Sequence, residues 1–234
     1  MFSSWRNFYE SDFQGLYALI ALPALFLIAR LVSPRRVADD AGRFVRAWSL
    51  VFAVETIADP VVTGPLLRAL GITEGPLADY GMIPFVLLGD FRVFLLVCFL
   101  GAPDAGVARA VARAASWTLL VPAIALIATA VLRATVGPLP PTTIWLVYEA
   151  TFAGFALLWA LGTRGYSRPI WTYGAVYYAL WATADVMILY DVDAGWALRI
   201  VPNQLYYAFF VPFAELLFFS RRYAASRTST HAAR

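Results

Sequence analysis

The chain has no lysine, one histidine and one cysteine among its 234 residues. All 18 basic residues are arginine, which excludes any mechanism built on a Schiff-base lysine, retinal binding included. Cys98 sits alone in an apolar run, so no disulfide can form within the chain. His231 lies in a polar tail, so Cys/His zinc sites and haem with histidine axial ligands lack their donors. Charge is scarce as well. Charged residues make up 14% of the chain, against about a quarter in a soluble domain. What remains is carboxylate, amide, hydroxyl and aromatic chemistry, and no cofactor or metal site is expected.

Apolar sequence fills the space that charge leaves. Hydrophobic residues reach 61% and the mean hydropathy is +0.69. A single aqueous core of this size cannot hide that much apolar surface, so the expected solvent is lipid. An α-helical span needs about 20 mostly apolar residues. Seven such runs occur, over residues 15–33, 44–70, 81–101, 112–133, 143–163, 169–190 and 197–219. They are too long and continuous for barrel strands, which alternate over about 10 residues. The first run follows Glu10 and Asp12 and lacks a basic segment before it, which argues against a cleaved signal peptide. The expected fold is an all-α, seven-helix membrane domain over residues 1–220, followed by a basic, disordered tail over 221–234. No confident internal repeat is visible.

The arginines set the expected orientation. Thirteen fall in the loops and flanks that follow spans one, three, five and seven, among them Arg35 and Arg36. Four fall on the other side, namely Arg6, Arg68, Arg133 and Arg199. By the positive-inside rule the N-terminus lies outside and the C-terminus in the cytoplasm, in a multi-pass protein of the inner or plasma membrane.

Six of the 15 acids lie inside spans: Glu55, Asp59, Asp90, Glu149, Asp185 and Glu215. Arg92 is the one base expected among them. A charge at the bilayer centre costs at least about 2.5–3.5 kcal/mol even on the most forgiving scale. Several of these acids must therefore be protonated, hydrogen-bonded or open to a wet cavity. A protonated carboxyl in an apolar site is a ready general acid, and equally a ready proton carrier.

Spacing then says which groups can meet. Glu55 and Asp59 are four apart and share one helix face, with Pro60 favouring a kink beside them. Asp90 and Arg92 are two apart and point to opposite faces, so Arg92 is expected to pair with another helix or to touch a ligand directly. Asp185 is close enough to a span end to reach outward, and Glu215 can reach Arg222 at the inner rim. On this reading Glu55, Asp59, Asp90, Glu149 and Asp185 converge with Asn203 and Gln204 on a cavity in the outer half. The sixth span carries Trp171, Tyr178, Trp181 and Asp185 on one stripe, read either as helix packing or as an aromatic wall for a cation.

The placement of acids resembles the small seven-span integral-membrane terpene cyclases of meroterpenoid and indole-terpene pathways. Glu55 in VFAVETIADP, Asp90 in FVLLGDFRVF and Glu215 in VPFAELLFF stand where that resemblance implies functional acids. Glu55 is not preceded by the tryptophan of that pattern, and the last-span acid is Glu rather than Asp. VPFAELLFF is also similar to the P-x-E-E-x-x-F-F element of membrane lycopene cyclases, with one Glu where that element has two. Both resemblances imply protonation of an isoprenoid without metal or nucleotide.

The expected function is acid catalysis on a lipophilic substrate in the bilayer. Glu55, Asp90 and Asp59 are the expected catalytic acids. Arg92, Glu149, Tyr178, Trp181, Asp185, Asn203 and Glu215 are the expected substrate-binding set. The expected partners are the lipid bilayer and a lipophilic small molecule, not nucleic acid, with the oligomeric state open. The competing expectation is a proton-coupled transporter or a seven-helix sensor that uses the same acids.

Overall fold

The computed structural model describes residues 4–33, 37, 39–72, 74–75, 77 and 81–232, with side chains as far as Arg221. Every element among the described residues is helical. A short α1 (Trp5–Tyr9) precedes a π-turn (Phe13–Tyr17) that runs into α2 (Ala18–Val32). Next come α3 (Asp40–Val61), extended by a π-turn (Val62–Leu66), then α4 (Ile83–Gly101) and α5 (Val107–Val136). After these come α6 (Thr142–Gly162) and α7 (Ser167–Leu189). The last long rod is built of α8 (Ala194–Asn203), a π-turn (Gln204–Phe209) and α9 (Phe210–Ala232). Arg35 and Arg36, which entered the orientation reading, lie outside the described residues.

Among the described residues, five stretches are long and apolar enough to cross a membrane: Phe13–Val32, Asp40–Ala69, Ile83–Gly101, Val107–Val136 and Thr142–Gly162. The two remaining rods carry the sixth and seventh expected runs. They are rich in Tyr and Trp and hold Arg168, Asp185 and Arg199, all of which lower their mean hydropathy. The backbone of the basic tail continues α9 to Ala232 where the sequence reading expects disorder. Beyond Pro212 the segment contains no Gly or Pro to stop the helix.

The bundle is inverted relative to a water-soluble one. Leu25, Ile28, Val51, Leu119, Ile127, Leu157, Leu158 and Leu161 are exposed, while all six expected intramembrane acids and Arg92 are buried. Lipid accounts for both halves of that pattern, because it solvates leucine and not carboxylate. Close approach of the helices comes from small residues. On α5 the buried set is Ala110, Ala114, Thr118, Val121, Ala125 and Thr129, close to every fourth residue. Where α6 meets α7, Gly174 lies against Phe152 and Ala156. Towards one end, Phe94, Trp117, Phe152, Phe155, Trp159 and Trp171 form a continuous aromatic cluster.

Candidate functional site

Helices α3, α4 and the last rod build the central ion pair. Arg92 is fully buried, and its Nη1 donates to Glu55 Oε2 across 3.2 Å. Its Nη2 donates to the Tyr206 carbonyl at 2.7 Å. That carbonyl belongs to the π-turn between α8 and α9, a widened turn of the kind often found at functional sites. The guanidinium also lies 4.0 Å over the Tyr206 ring and 5.3 Å from the Phe210 ring. Trp48 Nε1 donates to the Arg92 carbonyl at 3.0 Å, which fixes α3 against α4 at this level. Tyr206 reaches the arginine only because position 89 is glycine. A Cβ there would stand 1.4 Å from the Tyr206 Oη.

Asp90, one residue on, points away from Arg92. It is fully buried and accepts a hydrogen bond on each oxygen, from Tyr148 Oη of α6 and Tyr178 Oη of α7. The Tyr178 ring stacks on Phe152 at 4.0 Å, so the hydroxyl is aimed by packing. Asp59 has its own phenol. Tyr207 Oη donates to Asp59 Oδ2 at 2.6 Å, and the Thr63 hydroxyl donates to the Asp59 backbone carbonyl at 2.7 Å.

A third cluster forms where α6, α7 and α8 meet. Arg199 Nη1 stands 3.1 Å from Asp185 Oδ1, and Nη2 donates to Glu149 Oε1 at 3.4 Å. Trp181 Nε1 donates to Asn203 Oδ1 at 2.8 Å, and Asn203 Nδ2 donates to Tyr9 Oη at 3.2 Å. Helix α1 is thereby tied over this end of the bundle. Asp193 holds it down from the other side, accepting from the backbone N–H of Trp5 at 2.9 Å and of Arg6 at 3.3 Å.

A cavity of about 370 Å³ opens at this end. Its polar and aromatic wall includes Tyr9, Tyr148, Glu149, Tyr178, Trp181, Arg199, Asn203, Tyr206 and Tyr207. Six of the ten expected site residues do not line it, Arg92 among them. Asp90 stands behind Tyr148 and Tyr178, Asp59 stands behind Tyr207, and Glu55 is turned to Arg92. Asp185 is held by Arg199 rather than reaching outward, and is fully buried. Glu215 pairs with Arg30 at 2.9 Å, far along the last rod from the cavity; the Arg222 side chain, its expected partner, lies outside the described residues. The expected single gathering of five acids is thus four separate groups, Glu55 with Arg92, Asp59 with Tyr207, Asp90 with Tyr148 and Tyr178, and Glu149 and Asp185 at Arg199, because each carboxyl needs polar partners once water is excluded.

Sequence reasoning missed Arg199 and Arg30 as partners of buried acids, having assigned both to the loops and flanks of spans. It also singled out neither Tyr148 nor Tyr207 as a hydroxyl donor. A carboxyl inside an apolar run signals that a donor must come from somewhere, but not from which helix. Among the described residues no group of three or more His, Cys, Asp or Glu side chains converges as a metal-ligand set. No protein family, curated protein or solved structure matches the chain.

Proposed function

We propose that the protein is an integral-membrane enzyme that protonates a lipophilic, isoprenoid-class substrate and so promotes its isomerisation or cyclisation. The observation that carries this reading is the Asp90 carboxyl held between two phenols, Tyr148 and Tyr178, that themselves wall the cavity. Both phenols can donate only while Asp90 is ionised. When Asp90 carries a proton, one contact reverses, and that phenol's own hydrogen is free to turn to the cavity. Concerted transfer then moves the phenolic proton to a substrate double bond while the Asp90 proton refills the phenol. A C–H bond forms, the substrate becomes a cation and Asp90 becomes a carboxylate. Loss of a proton from a neighbouring carbon, back through the same phenol, makes a new double bond and restores the acid.

Substrate and product therefore have the same mass, and no oxidant, metal or nucleotide enters the balance. Tyr148 or Tyr178 is the catalytic residue in this scheme, and Asp90 is the proton source acting through it. Aromatic walls of the kind formed by Trp181 and Tyr206 stabilise a cation by about 0.5–2 kcal/mol each. Glu55, an expected acid, serves here to hold Arg92, and Glu215 to hold Arg30. This chemistry is what the terpene-cyclase resemblance implies, now resting on Asp90 rather than on Glu55.

The same reading takes the chain as seven spans in the inner or plasma membrane, N-terminus outside, with the cavity facing outward. Supporting it are the seven long rods and the arginine excess on one side.

One observation favours transport instead. Two rods are interrupted beside the cavity by π-turns with neighbouring prolines, Pro60 and Pro65 on one and Pro202 and Pro212 on the other. Interrupted helices mark substrate sites in many transporters. Lipid extracts of an isoprenoid-producing bacterium expressing the parent chain or Asp90→Asn decide between the two. The enzyme reading expects a new lipid of unchanged mass and altered retention, absent with Asp90→Asn. Identical lipids in both, together with proton-gradient-dependent uptake lost in Asp90→Asn, would overturn it.

A further inference from the structure

The charges at the mouth of the cavity do not balance. Glu149 and Asp185 supply two carboxylates, and among the described residues lining the cavity Arg199 is the one cation. Arg199 divides itself between them, with one Nη on each. Glu149 is buried and lines the cavity, yet no donor reaches its Oε2. Neither Asp185 oxygen has a hydrogen-bond donor either, Arg199 standing near Oδ1 without the geometry of a bond. A buried carboxylate oxygen without a donor or a cation costs several kcal/mol. A single positive charge completes the site, either a proton shared by Glu149 and Asp185, whose carboxyls stand within hydrogen-bonding reach of each other, or a cation from the cavity.

The surroundings say what kind of cation that is. A hard metal ion takes about six oxygen ligands, whereas this wall offers Glu149 amid Tyr148, Tyr178, Trp181 and Tyr206, whose ring faces attract a diffuse, weakly hydrated cation. The rings are held in place. Tyr178 packs edge-on to Trp181 at 5.4 Å, Trp181 lies 5.2 Å from Tyr206, and the Trp181 indole N–H is occupied by Asn203. One face of Tyr178 is covered by Phe152 and one of Tyr206 by the Arg92 guanidinium, so a ligand meets the opposite faces of these rings and Trp181. At about 370 Å³ the space admits a compact ammonium head and a short apolar portion.

We propose that this cavity binds a monovalent organic ammonium ion, quaternary or protonated, with its charge against Glu149 and its substituents against the tyrosine and tryptophan rings. The inference goes beyond the catalytic reading and stands or falls separately from it, because it concerns equilibrium binding and not product formation. A ligand of this class neutralises the second carboxylate and replaces nothing that Arg199 already does.

The test uses the full chain in an uncharged maltoside micelle. Benzyltrimethylammonium is the probe, and neopentylbenzene, with carbon in place of nitrogen, is its neutral counterpart. Tryptophan fluorescence reports binding through Trp181. Saturable quenching by the ammonium, with at least tenfold weaker response to the neutral molecule, is expected. Glu149→Gln, which leaves Asp185 and Arg199 balanced, is expected to weaken binding at least tenfold, and Glu149→Asp to retain most of it. Thermal melting of each variant separates loss of the site from loss of the fold, and Glu149→Asp carries the comparison if Glu149→Gln does not fold. Equal response to both probes, or undiminished binding in folded Glu149→Gln, would overturn the proposal. So would the absence of saturable binding, in which case the carboxyl pair holds a proton only.

Discussion

At the scale of single residues, the central ion pair is the feature whose energetics can be argued most directly. Arg92 is fully buried, with Glu55 as its carboxylate and the Tyr206 carbonyl as its second acceptor. Removing one partner of such a pair strands the other charge and costs about 3–5 kcal/mol. Glu55→Leu alone should therefore lower folded yield and melting temperature sharply. The double variant Glu55→Leu/Arg92→Leu should recover much of the loss, since apolar replacements of similar volume are often neutral or stabilising. Melting curves in detergent check this, and a double variant no better than the single one would contradict the pairing. Gly89→Ala is a second test at this scale. The added methyl collides with Tyr206 inside a packed core, with an expected cost of about 1–3 kcal/mol. The catalytic pair makes a third. Tyr148→Phe and Tyr178→Phe combined keep both rings but break both links to Asp90, and should cut product formation by about 10²–10⁴, the usual share of general acid catalysis, while one of the two single variants should account for most of the loss.

At the scale of elements, α1 has five residues and cannot hold itself together in isolation. Its N-terminus is capped by Ser4, whose side chain accepts from Asn7 N–H, and by both oxygens of Asp193. Its far end is fixed by the Tyr9 hydroxyl on Asn203 and by the Tyr9–Trp196 ring contact at 5.4 Å. Asp193→Ala should release the first of these anchors without touching the bundle. Hydrogen exchange over residues 4–10 should accelerate while the melting temperature of the whole protein stays within a degree or two. Unchanged exchange would show that Tyr9 alone suffices. The elements were also the most legible part of the sequence. Each of the seven apolar runs falls on one long rod, with ends differing by a few residues except in the last, whose rod continues to Ala232, because a 20-residue apolar run away from water has to close its backbone hydrogen bonds internally. The π-turns were not legible, although Pro60, Pro202 and Pro212 stand beside them. Proline says that a donor is missing and leaves open how the chain answers.

At the scale of the molecule, the sequence spoke clearly about solvent and vaguely about the site. Six carboxyls in apolar runs announced a polar interior, and the exposed leucines and buried acids form that pattern in the fold. Which donor meets which acid depends on helix rotation and neighbour order, and neither is written in a single chain. Hence Arg199 and Arg30 were read as loop arginines although both reach buried acids, and Tyr148 passed unnoticed beside Glu149. The orientation reading has its own check. With seven spans and the arginine-rich side inward, a fluorescent reporter at the C-terminus should be active in the cytoplasm, and an alkaline phosphatase fusion there should be silent.

The proposed catalysis requires a solvent-exchangeable proton to reach a substrate carbon through the Asp90 phenols. Membranes containing the parent protein, incubated with isoprenoid extract in H2O and in D2O without any ion gradient, test it directly. The expected result is one isomeric product that carries a single carbon-bound deuterium when formed in D2O, and none from Asp90→Asn membranes. A product without that deuterium, or no product until a proton gradient is imposed, would contradict it.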